Sequence, residues 1–145
     1  MSGTPPIAVT LVQATHLLAT HLSEHALAQP ASLEMISEPQ RSRVTAQVHS
    51  LTVPSIAAEL LAWADTLPTV TAQAWRPPCG DRVHLSMAST LNGPAGTVEL
   101  TVYGGADHDP AVVGDLAPGE YRAVTLDALR AWAADAPHPL PMARR

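Results

Sequence analysis

Two histidines and a glutamate near the start of the chain have the spacing expected of a metal-dependent hydrolytic site. His21-Leu22-Ser23-Glu24-His25 follows the pattern H-x-x-E-H. On a helix, His21 and His25 lie one turn apart and can bind the same metal ion, while Glu24 lies beside them as a base. A hydrolytic zinc site also needs a third protein ligand and an open position for water. The pattern therefore predicts a metal site only if another ligand reaches it.

This pattern resembles the zinc motif of the inverzincin metallopeptidases. The resemblance covers five of 145 residues, and it implies that His21 and His25 are zinc ligands and that Glu24 is the base. Glu99 and His84 are the candidates for a third ligand. Glu99 is predicted on the sheet face opposite the helices, from which it would not reach His25. A metal-binding protein or small zinc hydrolase is therefore the alternative hypothesis rather than the first.

A packed helix explains the same histidines without a metal. At about 100° per residue, His25 falls within the apolar stripe of the first predicted helix, which consists of Ile7, Leu11, Ala14, Leu18 and Leu22. His21 then lies at the rim of the stripe, His25 caps the core near the end of the helix, and Glu24 is solvated. A histidine is favourable in a last helical turn in any case. We prefer this interpretation, because a short motif without its structural context is only a hypothesis.

Two further groups of reactive side chains fall in predicted turns. Cys79 lies in Pro77-Pro78-Cys79-Gly80-Asp81 and is predicted to be an ordinary turn residue, because a nucleophilic thiol needs neighbours that lower its pKa. Asp107-His108-Asp109 lies between glycines and a proline, as is typical of a surface loop. No convincing catalytic set emerges, so the sequence favours a non-enzymatic protein and implies no cofactor.

Alternating strands predict a polar sheet face that bears aromatic side chains. Along the predicted strands, one parity is apolar and the other carries Trp75, His84, Glu99 and Tyr103. A large aromatic ring on a solvent-facing sheet calls for a partner, because exposed apolar patches commonly mark contact sites. The competing interpretation is a slip of one residue at Trp75, which would turn its ring into the core. These four residues are the predicted binding surface.

Composition limits the partners. The chain has 8 basic residues, all arginine and scattered, against 13 acidic ones, for a net charge of −5. This argues against nucleic acid, which is bound through clustered basic side chains. The uncharged run 7–22 is interrupted by polar residues and falls short of the about 20 residues of a membrane span. We therefore predict no nucleic acid and no membrane as partners.

The remaining features of the composition bear on the source organism and on the location in the cell. A single cysteine excludes an internal disulfide, and the first residues lack the charged region of a signal peptide, so a cytoplasmic location is predicted. Lysine and phenylalanine are missing while alanine and proline abound. This bias indicates a coding sequence rich in G and C, as in a high-GC bacterium or its phage.

Periodicity and turn signals predict the order helix, two strands, helix, three strands, helix. The first helix is predicted from Pro5 to about Ala28 with Thr4 as its N-cap, and 104–119 is predicted as a loop with one helical turn. The predicted strands are 31–37, 44–49, 70–75, 82–87 and 97–103, with a short one over 122–124 as an addition. The helix–hairpin order occurs twice, which leaves duplication open as an explanation.

These elements predict a two-layer α+β domain, with helices packed on one face of an antiparallel sheet of about five strands. One domain is expected over 1–145, with flexible tails at 1–4 and 137–145. The first functional hypothesis is a non-enzymatic binding or regulatory module that acts through a protein partner or through self-association. In the second case it would be a homodimer that joins sheets or covers the polar face. The alternatives are the metal site at His21 and His25 and a small-ligand pocket between the first helix and the sheet.

Overall fold

The computed structural model describes residues 9–136. The predicted tails at 1–4 and 137–145, together with the proposed cap Thr4, lie outside these residues. The elements follow in chain order as α1 (Leu11–Glu24), β1 (Ser32–Ser37), β2 (Ser42–Gln47), α2 (Val53–Ala64), β3 (Thr71–Trp75), β4 (Arg82–Gly93), β5 (Gly96–Asp107), α3 (Pro110–Val113), β6 (Tyr121–Val124) and α4 (Leu126–Ala133).

The six strands form one sheet in the order β1-β2-β5-β4-β3-β6. Neighbouring strands are antiparallel except β2 and β5, which run parallel with Ser42 opposite Val98 and Gln47 opposite Tyr103. The predicted antiparallel sheet of about five strands is therefore corrected to a mixed sheet of six. Alternation of apolar and polar residues determines which face a side chain occupies, but it is the same for both directions of pairing.

The helices cover one face of this sheet, which confirms the predicted two-layer α+β arrangement. Alternate residues of β4, namely Val83, Leu85 and Met87, are buried, and so are Val98, Leu100 and Val102 of β5. They pack in one cluster with the apolar faces of the helices, including Leu18 of α1, Ile56 and Leu60 of α2 and Leu129 of α4. The other parity of each strand faces away from the helices. The sheet thus has a helix-covered face and an open face.

The first helix is shorter than predicted at both ends. It begins at Leu11, where the Thr10 hydroxyl accepts a hydrogen bond from the Gln13 backbone N–H and the Gln13 side-chain oxygen accepts one from the Thr10 backbone N–H. This reciprocal capping box satisfies two N–H groups that a helix start leaves free. The helix ends at Glu24 rather than Ala28, because Ala26 adopts φ = 51°, a left-handed conformation that stops helical propagation.

The central hairpin is longer than predicted. β4 continues past Met87 to Gly93, and β5 continues past Tyr103 to Asp107, through Gly104 and Gly105. A Cβ atom at Gly104 would lie 2.8 Å from Val48 Cγ2 and 2.9 Å from Ile56 Cγ1. The glycine that suggested a loop is instead required inside the strand, because α2 packs directly against the backbone there.

Threonine side chains cap two of the helices, and two predicted elements are confirmed. Thr52 caps α2 and Thr125 caps α4, each accepting a hydrogen bond from a backbone N–H of the first turn. The predicted helical turn near 111–113 is α3, and the short additional strand is β6. Helix–hairpin order does occur twice, but β2 joins β5 in parallel while β4 joins it antiparallel. Duplication therefore stays a prediction.

Within residues 9–136, no helix combines the length and the apolar character that crossing a bilayer requires.

Candidate functional site: an aromatic row on the open face of the sheet

Aromatic side chains gather on the open face from four neighbouring strands. Trp75 of β3 is opposite His84 of β4 and, on its other side, opposite Tyr121 of β6. Tyr103 of β5 is opposite Ser86, the next residue of β4 on the same face as His84. Residues opposite one another in antiparallel strands share a face. Trp75 therefore lies on the open face as the alternation predicted, and the alternative of a slip into the core is wrong.

The four rings form a continuous row, which we call the aromatic row (Tyr121, Trp75, His84 and Tyr103). The rings of Tyr121 and Trp75 are stacked with centroids 5.4 Å apart and planes 16° from parallel. The His84 ring meets Trp75 edge to face at 5.4 Å and stacks on Tyr103 at 5.9 Å. These offset-stacked and edge-to-face geometries are the ones aromatic pairs prefer. The rings therefore hold one another in place before any partner arrives.

The row is partly exposed and carries little charge. Tyr121 is 60% exposed, and the other three side chains are half-buried. Burial lowers the pKa of His84, and the neighbouring Arg82 lowers it further, so the imidazole is neutral at pH 7. Arg82 itself, at the start of β4, pairs at 3.1 Å with Asp107 at the end of β5. The aromatic row therefore has an uncharged centre and an ion pair at its border.

Gly105 shapes the surface next to His84. A Cβ atom at this position would lie 3.2 Å from Arg82 Nη2 and 3.4 Å from the His84 ring. The absence of a side chain leaves room for both neighbours to lie over the backbone.

Glu99 is on the open face but apart from the row. It lies four residues before Tyr103 on β5, about 13 Å along the strand, and it pairs with Arg41 at 3.7 Å. Glu38 pairs with both Arg41 and Arg43. The predicted binding residues therefore separate into an aromatic end with Trp75, His84 and Tyr103 and a charged end with Glu99.

Tyr121 is the member of the row that the sequence did not reveal. Its strand has only four residues, and its partner β3 lies far earlier in the chain. The available signal was the alternation over 121–124, where Tyr121 and Ala123 share one face and Arg122 and Val124 the other. Four residues are too few to distinguish a strand from a loop by periodicity.

The histidines of the H-x-x-E-H motif lie on the other side of the sheet, in the helix layer. His21 is half-buried, and His25 is the C-cap of α1. His25 and Glu24 are both exposed. The predictions for His21 at the rim and for a solvated Glu24 are confirmed, whereas the prediction that His25 caps the core is wrong. The left-handed Ala26 ends the helix and leaves the His25 ring outside the apolar stripe.

We call the surroundings of His21 the helix-side cluster (His21, His25, Trp63 and Thr66). The rings of His21 and His25 have centroids 4.5 Å apart, and His21 stacks on Trp63 at 6.1 Å. The Thr66 hydroxyl lies 2.8 Å from His21 Nε2 and donates its proton to the Trp63 carbonyl. Since that hydroxyl has one proton only, it accepts from Nε2–H, and this nitrogen has no lone pair left for a metal.

Charge and ligand count in the helix-side cluster also bear on the metal hypothesis. Burial lowers the pKa of His21, the nearby His25 lowers it further, and Glu24 opposes the shift. Groups of three or more side chains able to hold a metal ion do not occur within residues 9–136. The candidate third ligands His84 and Glu99 project from the opposite face of the sheet. The described residues therefore offer His21 and His25 alone.

A pocket of about 470 Å³ lies between α1 and the turn of the β4–β5 hairpin. Its lining is mainly apolar and includes Val9, Val12, Leu17 and Pro94. Gly93 allows α1 to approach the hairpin closely. A Cβ atom at this position would lie 3.0 Å from Leu17 Cδ1. This is the location predicted for a small-ligand pocket.

The other reactive groups have local structural roles. Asp107 pairs with Arg82, and the Asp109 side chain caps the Ala111 backbone at the start of α3. Cys79 is exposed in its turn, where Arg76 pairs with Asp81 at 3.0 Å. These contacts give Asp81, Asp107 and Asp109 structural roles.

Comparison of the chain with protein-family models, with curated proteins and with solved structures finds no match. What the surface can do must therefore be argued from its own geometry. The aromatic row provides apolar area, and the ring edges present an indole N–H and phenolic hydroxyls. Such a surface can bind a partner through apolar contacts and hydrogen bonds.

Proposed function

We propose that this protein is a non-enzymatic binding module that contacts a protein partner through the open face of its sheet, with the aromatic row at the centre of the contact. The observation that carries the proposal is the stack of four rings on the sheet face that the helices within residues 9–136 leave open. Tyrosine and tryptophan are enriched in protein interfaces and dominate their binding energy.

The arrangement of the face supports a protein as the partner. The neutral centre is bordered by the pair Arg82–Asp107 on one side and by the charged cluster of Glu38, Arg41, Arg43 and Glu99 on the other. An apolar centre with a polar rim is the usual organisation of a protein–protein contact. Because the rings already stack on one another, binding immobilises few side chains and loses little entropy.

Affinity capture from the source organism, followed by titration of the purified partner, tests the proposal. Tyr121→Ala and Trp75→Ala should each weaken binding by about 30-fold or more, the loss typical of an aromatic hot spot. Leu51→Ala is the matched control, because Leu51 is 72% exposed and lies outside the open face. A partner that binds all three variants alike contradicts the proposal.

A cytoplasmic site of action is part of the same proposal. Cys79 is an exposed free thiol, and such thiols persist in reducing compartments. Fractionation of source cells, with detection by antibody, tests this location.

A small apolar ligand in the pocket beside α1 is the second candidate function, favoured by the volume of about 470 Å³, within the range of ligand pockets. Val12 lines this pocket and is 79% exposed. Val12→Asp should therefore abolish binding of an apolar fluorescent probe without unfolding the protein. Probe binding that survives the substitution excludes this pocket.

A further inference from the structure

The two edges of the sheet differ in how they are protected. Unpaired backbone groups at a sheet edge are a template for another strand, and proteins usually shield them with short strands, charges, prolines or bulges. β6 has four residues, and its Arg122 side chain donates to the carbonyls of Val113 and Asp115. This edge is short and carries a charged residue.

Within residues 9–136, β1 has fewer of these protections. It has six residues, pairs with β2 without a bulge and contains no proline, and its one charged residue is Glu34. Apolar side chains are exposed on both of its faces: Leu33 is 46% exposed on the helix side and Ile36 is 37% exposed on the open side. Leu11 of α1 is 47% exposed, and α1 reaches β1 where the Thr15 hydroxyl meets the Met35 sulfur at 3.3 Å.

From these features we infer that β1 pairs antiparallel with β1 of a second copy, so that two sheets join into one continuous sheet of twelve strands. A second copy fits because the edge is self-complementary. A two-fold axis perpendicular to the sheet keeps both helix layers on the same side, and exposed apolar residues then meet their counterparts on both faces. The inference stands independently of the partner proposed for the open face.

Charge selects the register of this pairing. With both helix layers on one side, even-numbered residues of β1 lie opposite even-numbered residues of the second copy, and odd-numbered opposite odd-numbered. Only two such registers pair five residues of each strand. In one of them Glu34 faces Glu34 of the second copy, which is repulsive. In the other Met35 faces Met35 of the second copy, and Glu34 faces the second copy's Ile36. The second register is the one we propose.

The contact is small. Five paired residues and one flank of α1 fall at the low end of interface sizes, below about 1,200 Å² in total. We therefore expect a dimer that dissociates at micromolar concentrations. In this dimer the two aromatic rows lie on the same face, with their centres separated by eight strand spacings or about 38 Å, so a partner with repeated epitopes would bind both.

Sedimentation velocity of the full chain over a concentration series measures the dimer, with paired substitutions at position 36. Ile36→Glu places a carboxylate opposite Glu34 of the second copy, twice in each dimer, and should raise the dissociation constant about tenfold or more. Within its own chain the same carboxylate lies opposite Arg43, so folding is preserved. Ile36→Lys places a cation opposite Glu34 and should keep the dissociation constant within about threefold of the wild type.

Cross-linking tests the register itself. In a Cys79→Ser background, Met35→Cys should form an intermolecular disulfide on oxidation, because residues directly opposite have Cα atoms about 4.5–5.5 Å apart. A mixture of Ser32→Cys and Ile36→Cys chains keeps Glu34 and should form far less of a 32–36 disulfide, because these positions lie opposite each other only in the other register. Efficient cross-linking of that mixture would overturn the proposed register. Three other outcomes would overturn the inference: a wild-type monomer at about 1 mM, equal weakening by both substitutions at position 36, or a dimer lost in Tyr121→Ala instead.

Discussion

Two clusters of histidine and aromatic rings lie on opposite faces of the same sheet, and their surroundings set them apart. In the helix-side cluster, His21 stacks on Trp63, which is 2% exposed, and shares a hydrogen bond with Thr66. In the aromatic row, the rings stack on one another, and Tyr121 is 60% exposed. Burial lowers the pKa of a histidine in both clusters.

The comparison teaches that similar residue types serve different ends according to what covers them. The contacts of the helix-side cluster join the end of α1 to the end of α2, so its histidine acts within the fold. The aromatic row lies on the open face, and its rings pack on one another rather than in the core. The histidine motif that first suggested chemistry thus forms a contact between two helices, and the surface proposed for partner binding lies elsewhere.

The largest expected difference concerns the two tryptophans. Trp63→Ala empties a buried site and should lower the free energy of unfolding by about 3–5 kcal/mol. Trp75→Ala removes one stacked and one edge-to-face contact at a half-exposed site and should cost about 1–2 kcal/mol. Urea denaturation measures both. Equal losses would mean that the aromatic row is as much a part of the core as Trp63.

A smaller difference is expected for two threonines that differ in their hydrogen bonds. Thr66→Val removes the hydroxyl that accepts from His21 and donates to the Trp63 carbonyl, and should destabilise the protein by about 1–2 kcal/mol. Thr101→Val on the open face is the matched control and should change stability by less than about 0.5 kcal/mol. If the two substitutions have the same effect, the bond to His21 does not stabilise the helix-side cluster.

Acidification should affect the two clusters through different observables. The pKa of His21 is lower in the folded protein than in the unfolded chain, so the unfolded chain takes up its proton first as the pH falls through about 6.5. Stability should therefore decrease from pH 8 to pH 5, and His21→Gln should reduce this dependence.

The pKa of His84 is also lowered in the folded protein, and protonation of His84 would place a charge in the aromatic row. Partner binding should weaken over the same range in the wild type and not in His84→Gln.

Zinc binding is expected to show the smallest difference between the two clusters. Within the described residues, His21 and His25 have no third ligand, and Nε2 of His21 is occupied by Thr66. We therefore expect no stoichiometric zinc after dialysis, measured by elemental analysis. One zinc per chain that is lost in His25→Ala, with the fold retained, would restore the metal hypothesis for His21, Glu24 and His25.

The sequence predicted the open face but only part of the site on it. The period of two along β4 and β5 places buried and exposed side chains on opposite faces, which is why Trp75, His84 and Tyr103 were found together. Tyr121 was missed because its position depends on the pairing of β6 with β3, which leaves no local signal. Glu99 was grouped with the row because alternation places it on the same face. Alternation does not show how far along β5 a residue lies, and Glu99 lies four residues from Tyr103.

Errors in the fold have equally specific causes. Gly104 suggested a loop because glycine is rare inside strands, and only the close approach of α2 explains it. His25 was assigned to the apolar stripe by extending the helical period beyond Glu24, where the chain turns at Ala26. Pairing direction was missed because β2 and β5 are separated by an intervening helix and two strands. At Gly104 and in the pairing of β2 with β5, a contact distant in sequence overrides the local pattern, whereas at His25 the cause is the neighbouring Ala26.

The parallel pairing of β2 with β5 has a consequence for how the chain folds. Residues 42–47 must meet residues 98–103, whereas the β4–β5 hairpin and the β1–β2 hairpin each close within a short stretch of chain. Closing a long loop costs entropy before its contacts form, so topologies rich in such pairings fold slowly. The two hairpins are therefore expected to form early, and their union along β2 and β5 to be the late, rate-limiting event.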